Sequence, residues 1–291
     1  MNYLYARGQD KAFFAQQGGD LVWCLYTVSQ TSRDPELRER AAKMGRELAQ
    51  RWRDENPHVP PDADADKIYD LAASAYAIDR FLGVNRKYRT EIRRAAAAFD
   101  AEDYMEFDPA IGPPPANDPR RFKMWENALV ITFFGDAYGV RLGAHYKDVV
   151  KWLPAMHPYA IDDDDLEFDM FYGATHLVYT LNAYHQRSIA PGLLPQEIAF
   201  IKHKLADAME EDNPEMVGES LDSLKALGQG NDPLVQQGTA YLLDHQEADG
   251  TWVEETDSSA YTAYHAAWTA IDGLRDYRYR GEVKKLPRLI H

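Results

Sequence analysis

Gly238-Thr-Ala-Tyr241-Leu242-Leu243-Asp-His-Gln246-Glu-Ala-Asp249-Gly250-Thr-Trp252 is the stretch on which the reading of this chain turns. Residues 238–246 read as a helix whose apolar face carries Tyr241, Leu242 and Leu243. Asp249-Gly250 marks a turn, because glycine accepts positive φ without steric cost. Trp252 follows, Asp257 or Ser258 can cap what comes next, and a second helix then carries Tyr261, Tyr264 and His265. The unit is helix, aromatic-anchored turn, helix.

The same unit recurs outward from there. Helical periodicity dominates the chain, and no segment alternates as a strand would. Apolar, weakly charged helices are centred near Trp23, Ala72, Ala128, His176, Ser220 and His265, a period of roughly 45 to 55 residues. Charged amphipathic segments lie between them: 34–55, 88–99, 140–153, 195–210 and 233–246. Inner helices buried on several faces and outer helices buried on one produce this alternation. The expected fold is all-α, a single α/α toroid of about six helical hairpins over residues 1–291. An α-solenoid that does not close is the alternative. Residues 100–120, with Pro113-Pro114-Pro115, cannot be helical throughout and are expected to form a rim loop or lid. Residues 281–291 read as a short, solvated basic tail.

Gly238, Tyr241, Leu242, Gln246, Gly250 and Trp252 fall where the QW repeat of squalene and oxidosqualene cyclases places its small, aromatic, Leu, Gln, Gly and Trp positions. Gln237 stands where that repeat has a basic residue. The chain thus resembles the terpenoid cyclase and protein prenyltransferase-like toroid superfamily. The resemblance implies that Gln246 caps the next helix and that Trp252 ties an outer helix to an inner one. Asp162, Asp164 and Asp165 also resemble the Asp-x-Asp-Asp pattern of class II terpene cyclases, which implies Asp164 as a proton donor. Crowded carboxylates make this chemistry reasonable, since they cannot all ionise. A solvated helix N-terminus is the other reading of the same run.

Composition narrows the classes of function. A net charge of −15 argues against nucleic acid and anionic membrane surfaces as partners. No apolar run approaches 18 residues, so neither a membrane span nor a signal peptide is expected, and a cytoplasmic location is. Cys24, the single cysteine, lies in an apolar run and reads as a small buried hydrophobe. Phosphate loops, nucleophile elbows, dinucleotide fingerprints and the zinc signatures of prenyltransferases and lanthionine cyclases are absent.

One internal repeat carries possible chemistry. Tyr172-x-Ala174-x-His176-x-x-Tyr179-Thr180 aligns with Tyr261-x-Ala263-x-His265-x-x-Trp268-Thr269, 89 residues later. The spacing puts each Tyr and His on one helix face. His176 and His265 are therefore candidate general acid and base, with Tyr172 and Tyr261 as hydrogen-bonding partners. They are also candidate ligands of one divalent metal, the only cofactor the sequence leaves open, completed by Asp169, Glu219 or Asp20. Core histidines bonded to Tyr hydroxyls or carbonyls are the rival reading. The remaining histidines, His185 among them, read as surface or loop residues. Trp23, Tyr69, Trp125, Glu126, Tyr179, Tyr264 and Trp268 are expected to line the cavity. Together these point to a small-molecule enzyme performing acid–base cyclisation or isomerisation of a largely apolar substrate. A non-catalytic binding or scaffold protein is the alternative.

Overall fold

The computed structural model describes residues 1–160, 167–253 and 259–290. In chain order their α-helices are α1 (Asn2–Arg7), α2 (Lys11–Thr31), α3 (Pro35–Glu55), α4 (Ala65–Leu82), α5 (Arg86–Ala96), α6 (Ala101–Met105), α7 (Arg121–Tyr138), α8 (Tyr146–Val150), α9 (Glu167–Leu181), α10 (Pro195–Glu210), α11 (Pro214–Ala226), α12 (Pro233–Asp244) and α13 (Ala260–Leu274). The protein is all-α, and none of its helices is long and apolar enough to cross a membrane.

Local chemistry sets the helix starts. Asp10, Asp64, Asn85 and Ser259 accept a backbone N–H three residues on, each worth about 1 kcal/mol. Proline opens α3, α10, α11 and α12, where its missing N–H costs nothing.

Packing follows the two classes of helix. Helix α5 buries only Tyr88, Ile92 and Ala96, one stripe at fourfold spacing. Helix α11 instead buries residues on nearly every face, from Met216 and Val217 to Ser223 and Leu224. Six such helices follow one another in contact: α2 on α4, α4 on α7, α7 on α9, α9 on α11, α11 on α13, and α13 back on α2. They carry Trp23, Ala72, Ala128, His176, Ser220 and His265 in turn. Helices α3, α5, α8, α10 and α12 pack against their sequence neighbours, and α1 packs on α13.

The tightest crossing is α11 on α13. A Cβ on Gly218 would lie 2.6 Å from the Thr269 carbonyl carbon, and one on Gly273 would lie 2.8 Å from the Gly218 oxygen. Only glycine lets these backbones touch.

The return of α13 to α2 is tied by polar groups. Arg275, 7% exposed, donates through Nη1 to the Thr31 hydroxyl (2.7 Å) and through Nε to Asp272 (2.7 Å). Ser32 bridges Tyr277, and Arg280 reaches the Gln30 carbonyl at 3.2 Å.

Four local expectations change. Residues 140–153 form only the short α8, because Gly139 and Gly143 adopt left-handed φ values of 76° and 71° and break the run. The 100–120 segment contains α6, started by an Asp100/Asp103 capping box, and the Trp152 indole donates to the Pro109 carbonyl (2.9 Å). In the tail, Lys284, Lys285 and Arg288 are exposed but the backbone is held: Glu282–Val283 pairs in parallel with Ser188–Ile189, and the Ile290 N–H donates to Lys151. In the turn of the QW-like stretch, Gly250 has φ of 90° and Trp252 donates to the Leu242 carbonyl (2.7 Å), closing the end of α12. Gln246 bonds the Gly250 carbonyl rather than the next helix, whose cap is Ser259; Asp257 and Ser258 lie outside the described residues. Cys24 is fully buried, and burial pushes its thiol well above the usual range.

The glycine crossing generates a stability prediction. Gly218→Ala forces a backbone shift between α11 and α13 and should cost roughly 1–3 kcal/mol in denaturant unfolding. Gly112→Ala, where a Cβ meets nothing within 4 Å, should leave the midpoint nearly unchanged. Equal midpoints for the two variants would refute the crossing.

Candidate functional site

Helix α11 lies between α9 and α13, the two helices that carry the repeated Tyr-x-Ala-x-His pattern. Its own sequence is unusual for a buried helix, because Glu215, Glu219 and Asp222 recur at steps of four and three on one face. That face borders a cavity of about 670 Å³, which Glu219 and Asp222 line. Glu215 sits beside it and joins the two repeats. Its Oε1 accepts the Tyr172 hydroxyl of α9 (2.7 Å) and lies 3.0 Å from His265 Nδ1 of α13. Glu219 accepts the Thr175 hydroxyl at 2.8 Å.

The two histidines are held differently. His176 donates through Nδ1 to the Tyr172 carbonyl (2.9 Å), which turns Nε2 toward Glu126 Oε1 at 3.9 Å. Glu126 in turn accepts from Lys123 (2.9 Å). His265 stacks on Tyr261 (5.4 Å between centroids, 19°) and meets the edge of Trp268 (5.9 Å, 72°). Equal sequence spacing therefore yields an imidazole aimed at Glu126 in one helix and one paired with Glu215 in the other.

Proton affinities diverge within this small space. Enclosure by the cavity walls pushes the Asp20 carboxyl up to about 6 although the side chain keeps an exposed face; nearby Asp70 adds repulsion and His265 opposes it. Burial also raises Glu219, against the pull of His176 and His265. Glu215 feels burial too, but the close ion pair with His265 and the Tyr172 hydroxyl bond outweigh it and hold the carboxyl below its ordinary value. The same pairing overcomes desolvation at His265 and raises its imidazole.

The next wall comes from an irregular turn. Ala183, Tyr184 and His185 follow α9 with φ of 54°, 49° and 68°, a run of left-handed non-glycine residues that is rare and strained. It swings Tyr184 and His185 to the cavity. His185 is 3% exposed, with Nδ1 3.0 Å from Asp222 and Nε2 3.6 Å from Asp272. Asp272 also accepts from the Trp268 indole (2.9 Å) and from Arg275.

Of the residues expected from sequence, Trp23, Tyr69, Glu126, His176, Tyr179, Tyr261, His265 and Trp268 line this cavity. Tyr172 acts on its edge through Glu215. Trp125 and Tyr264 do not line it: both are fully buried, Trp125 against Gly173 of α9 and Tyr264 against Phe13 of α2. Asp162, Asp164 and Asp165 lie outside the described residues. His176, His265 and Asp169 do not converge as a metal set. Among the described residues the groups that could hold a divalent ion are Glu215, Glu219 and His265, or His185, Asp222 and Asp272, with ligand atoms within 4.8 Å of one another in each trio. Sequence reasoning missed Glu215 and His185. The acidic stripe on apolar α11 could have revealed the first; nothing in the sequence signals the left-handed turn that buries the second.

Comparison with family models, curated proteins and solved structures gives no match. What the site does must come from its own chemistry.

Asp20 supplies a prediction. Its pKa is about 3.8 when solvated and about 6 in the fold, so the folded state binds more protons between those values and loses stability as pH rises through them. Asp20→Asn should therefore raise the melting temperature at pH 7 and leave it unchanged near pH 3.5. Cavity water screens the carboxyl, so the gain is on the order of 1 kcal/mol, or roughly 2–4 °C. A variant less stable at pH 7 would contradict this.

Proposed function

We propose that the six-helix circuit is a single α/α toroid, with α1 serving as the outer partner of α13, and that its hollow is the active site of an enzyme. The enzyme moves protons on an enclosed small molecule, as a cyclisation, isomerisation or elimination requires. The supporting observation is the meeting of His265, Glu215, Glu219 and Asp20 at one aromatic-walled cavity, with proton affinities pushed apart. Groups separated in this way can divide the roles of acid and base. His265, charged beside Glu215, is the proton donor. Asp20, which titrates near neutrality and opens onto the cavity, is the base. His176 and Glu126 position the substrate from the neighbouring wall. Tyr172 and Thr175 hold Glu215 and Glu219 in place. The likeness to terpenoid cyclases supports the architecture. The acid is assigned from the described residues instead, where Asp20, Asp70 and Glu219 are cavity carboxyls with raised proton affinity.

A scaffold protein would have no use for such a set. Purified protein screened against small-molecule substrates should show turnover, with His265→Ala lowering kcat about 10²–10⁴-fold while helical signal and melting cooperativity persist. The kcat/KM profile should rise through about pH 6 as Asp20 loses its proton. An unfolded His265→Ala protein, tested beside the milder His265→Gln, or full activity in both, removes the assignment.

A further inference from the structure

We propose that the ligand of this cavity is an organic amine, its ammonium group held among carboxylates and aromatic faces. The inference rests on the cavity being the functional site, and it names the class of molecule that site takes.

The first observation is charge. Nine of the 24 lining residues are Asp or Glu, and none is Lys or Arg, although the chain has 32 Lys and Arg in 291 residues. The stretches outside the described residues, 161–166 and 254–258, contain no Lys or Arg either. Some lining acids are neutralised from behind: Glu126 by Lys123, Glu106 by Arg120 and Asp272 by Arg275. Among the described residues Asp20, Asp66, Asp70 and Glu219 have no Lys or Arg within ion-pair distance, and Asp70, on the helix α4 that touches α2, repels Asp20. His265 offsets part of the charge at Asp20 and Glu219, and Asp20, Asp66 and Asp70 keep exposed faces. What a bound cation relieves is the remaining repulsion among these carboxylates, which raises Asp20.

The second observation is independent of the acids. Tyr184 is 8% exposed, lines the cavity, and its hydroxyl has no hydrogen-bond partner among the described residues. The residue is largely buried but its hydroxyl is not among the sealed, unpartnered atoms, so it opens onto the cavity and is free to meet a polar group of the ligand. An ammonium N–H can donate to it.

The third is the wall between them. Trp23, Tyr69, Tyr261 and Trp268 present rings to the same space, and ring faces attract organic cations by about 0.5–2 kcal/mol each. An anion would meet repulsion here. A metal ion at Glu215, Glu219 and His265 would leave Asp20, Asp66 and Asp70 uncompensated and the rings unused. A volume of about 670 Å³ suits a small organic molecule.

The test is calorimetry of the intact protein with 1,4-diaminobutane, butylamine and butane-1,4-diol, with quenching of the lining tryptophans as a second readout. Both amines should bind, the diol about tenfold more weakly or not at all, and added salt should weaken the amines. Asp20→Asn and Asp70→Asn should each weaken the diamine about tenfold; Tyr184→Phe should do so by less, with melting cooperativity retained. If Asp20→Asn fails to fold, Asp66→Asn takes its place. Diol binding equal to that of the amines, no amine binding at millimolar concentration, or uptake of Zn²⁺ alone overturns the proposal. Loss of turnover of an uncharged substrate in His265→Ala would sink the amine and keep the proton-transfer reading. Amine binding with unchanged turnover in His265→Ala would do the reverse.

Discussion

The guanidinium of Arg275 is the group on which the circuit of helices depends. It is buried, and a buried charge is tolerated only when its neighbours are arranged to receive it. Asp272 takes one nitrogen and Thr31 another, and Tyr277 lies 4.3 Å beneath its plane. Thr31 ends the first long helix and Asp272 sits in the last, 241 positions further on, so one charge joins the two ends of the circuit. Its requirements propagate inward. Asp272 also takes the Trp268 indole and faces His185, which faces Asp222. The clasp and the cavity wall are thus one polar network.

What that network encloses follows from helix geometry. Residues four apart share a face, so two repeats of Tyr-x-Ala-x-His on α9 and α13 and one stripe of acids on α11, which touches both, meet along a single seam. Gly218 and Gly273 draw α11 and α13 together until Glu215 reaches His265. A bulkier residue at either glycine would spread the helices and pull that pair apart. The close crossing therefore serves both the packing and the site.

Much of this was legible in the sequence. The period of apolar helices, their centres and their proline or Asp starts required only local rules, and the structure places Trp23, Ala72, Ala128, His176, Ser220 and His265 on six helices that touch in turn. Legibility ended where geometry became three-dimensional. Trp125 and Tyr264 belong to α7 and α13 but turn into packed neighbours rather than into the cavity, and periodicity does not fix that rotation. The segment after Tyr138 has helical spacing but contains two left-handed glycines, a backbone choice that side-chain pattern does not reveal. His185 has no patterned neighbours at all. It enters the site through a strained turn that only the surrounding fold can sustain.

Cys24 adjoins Trp23, one residue along α2 from the cavity wall, and lies on the sealed side of that helix. Its thiol is sterically inaccessible and held in the unreactive protonated form. The chain thus carries its own stopwatch. Alkylation of this one sulfur can proceed only when the first long helix lifts from its neighbours, so the labelling half-life measures how often the whole assembly opens.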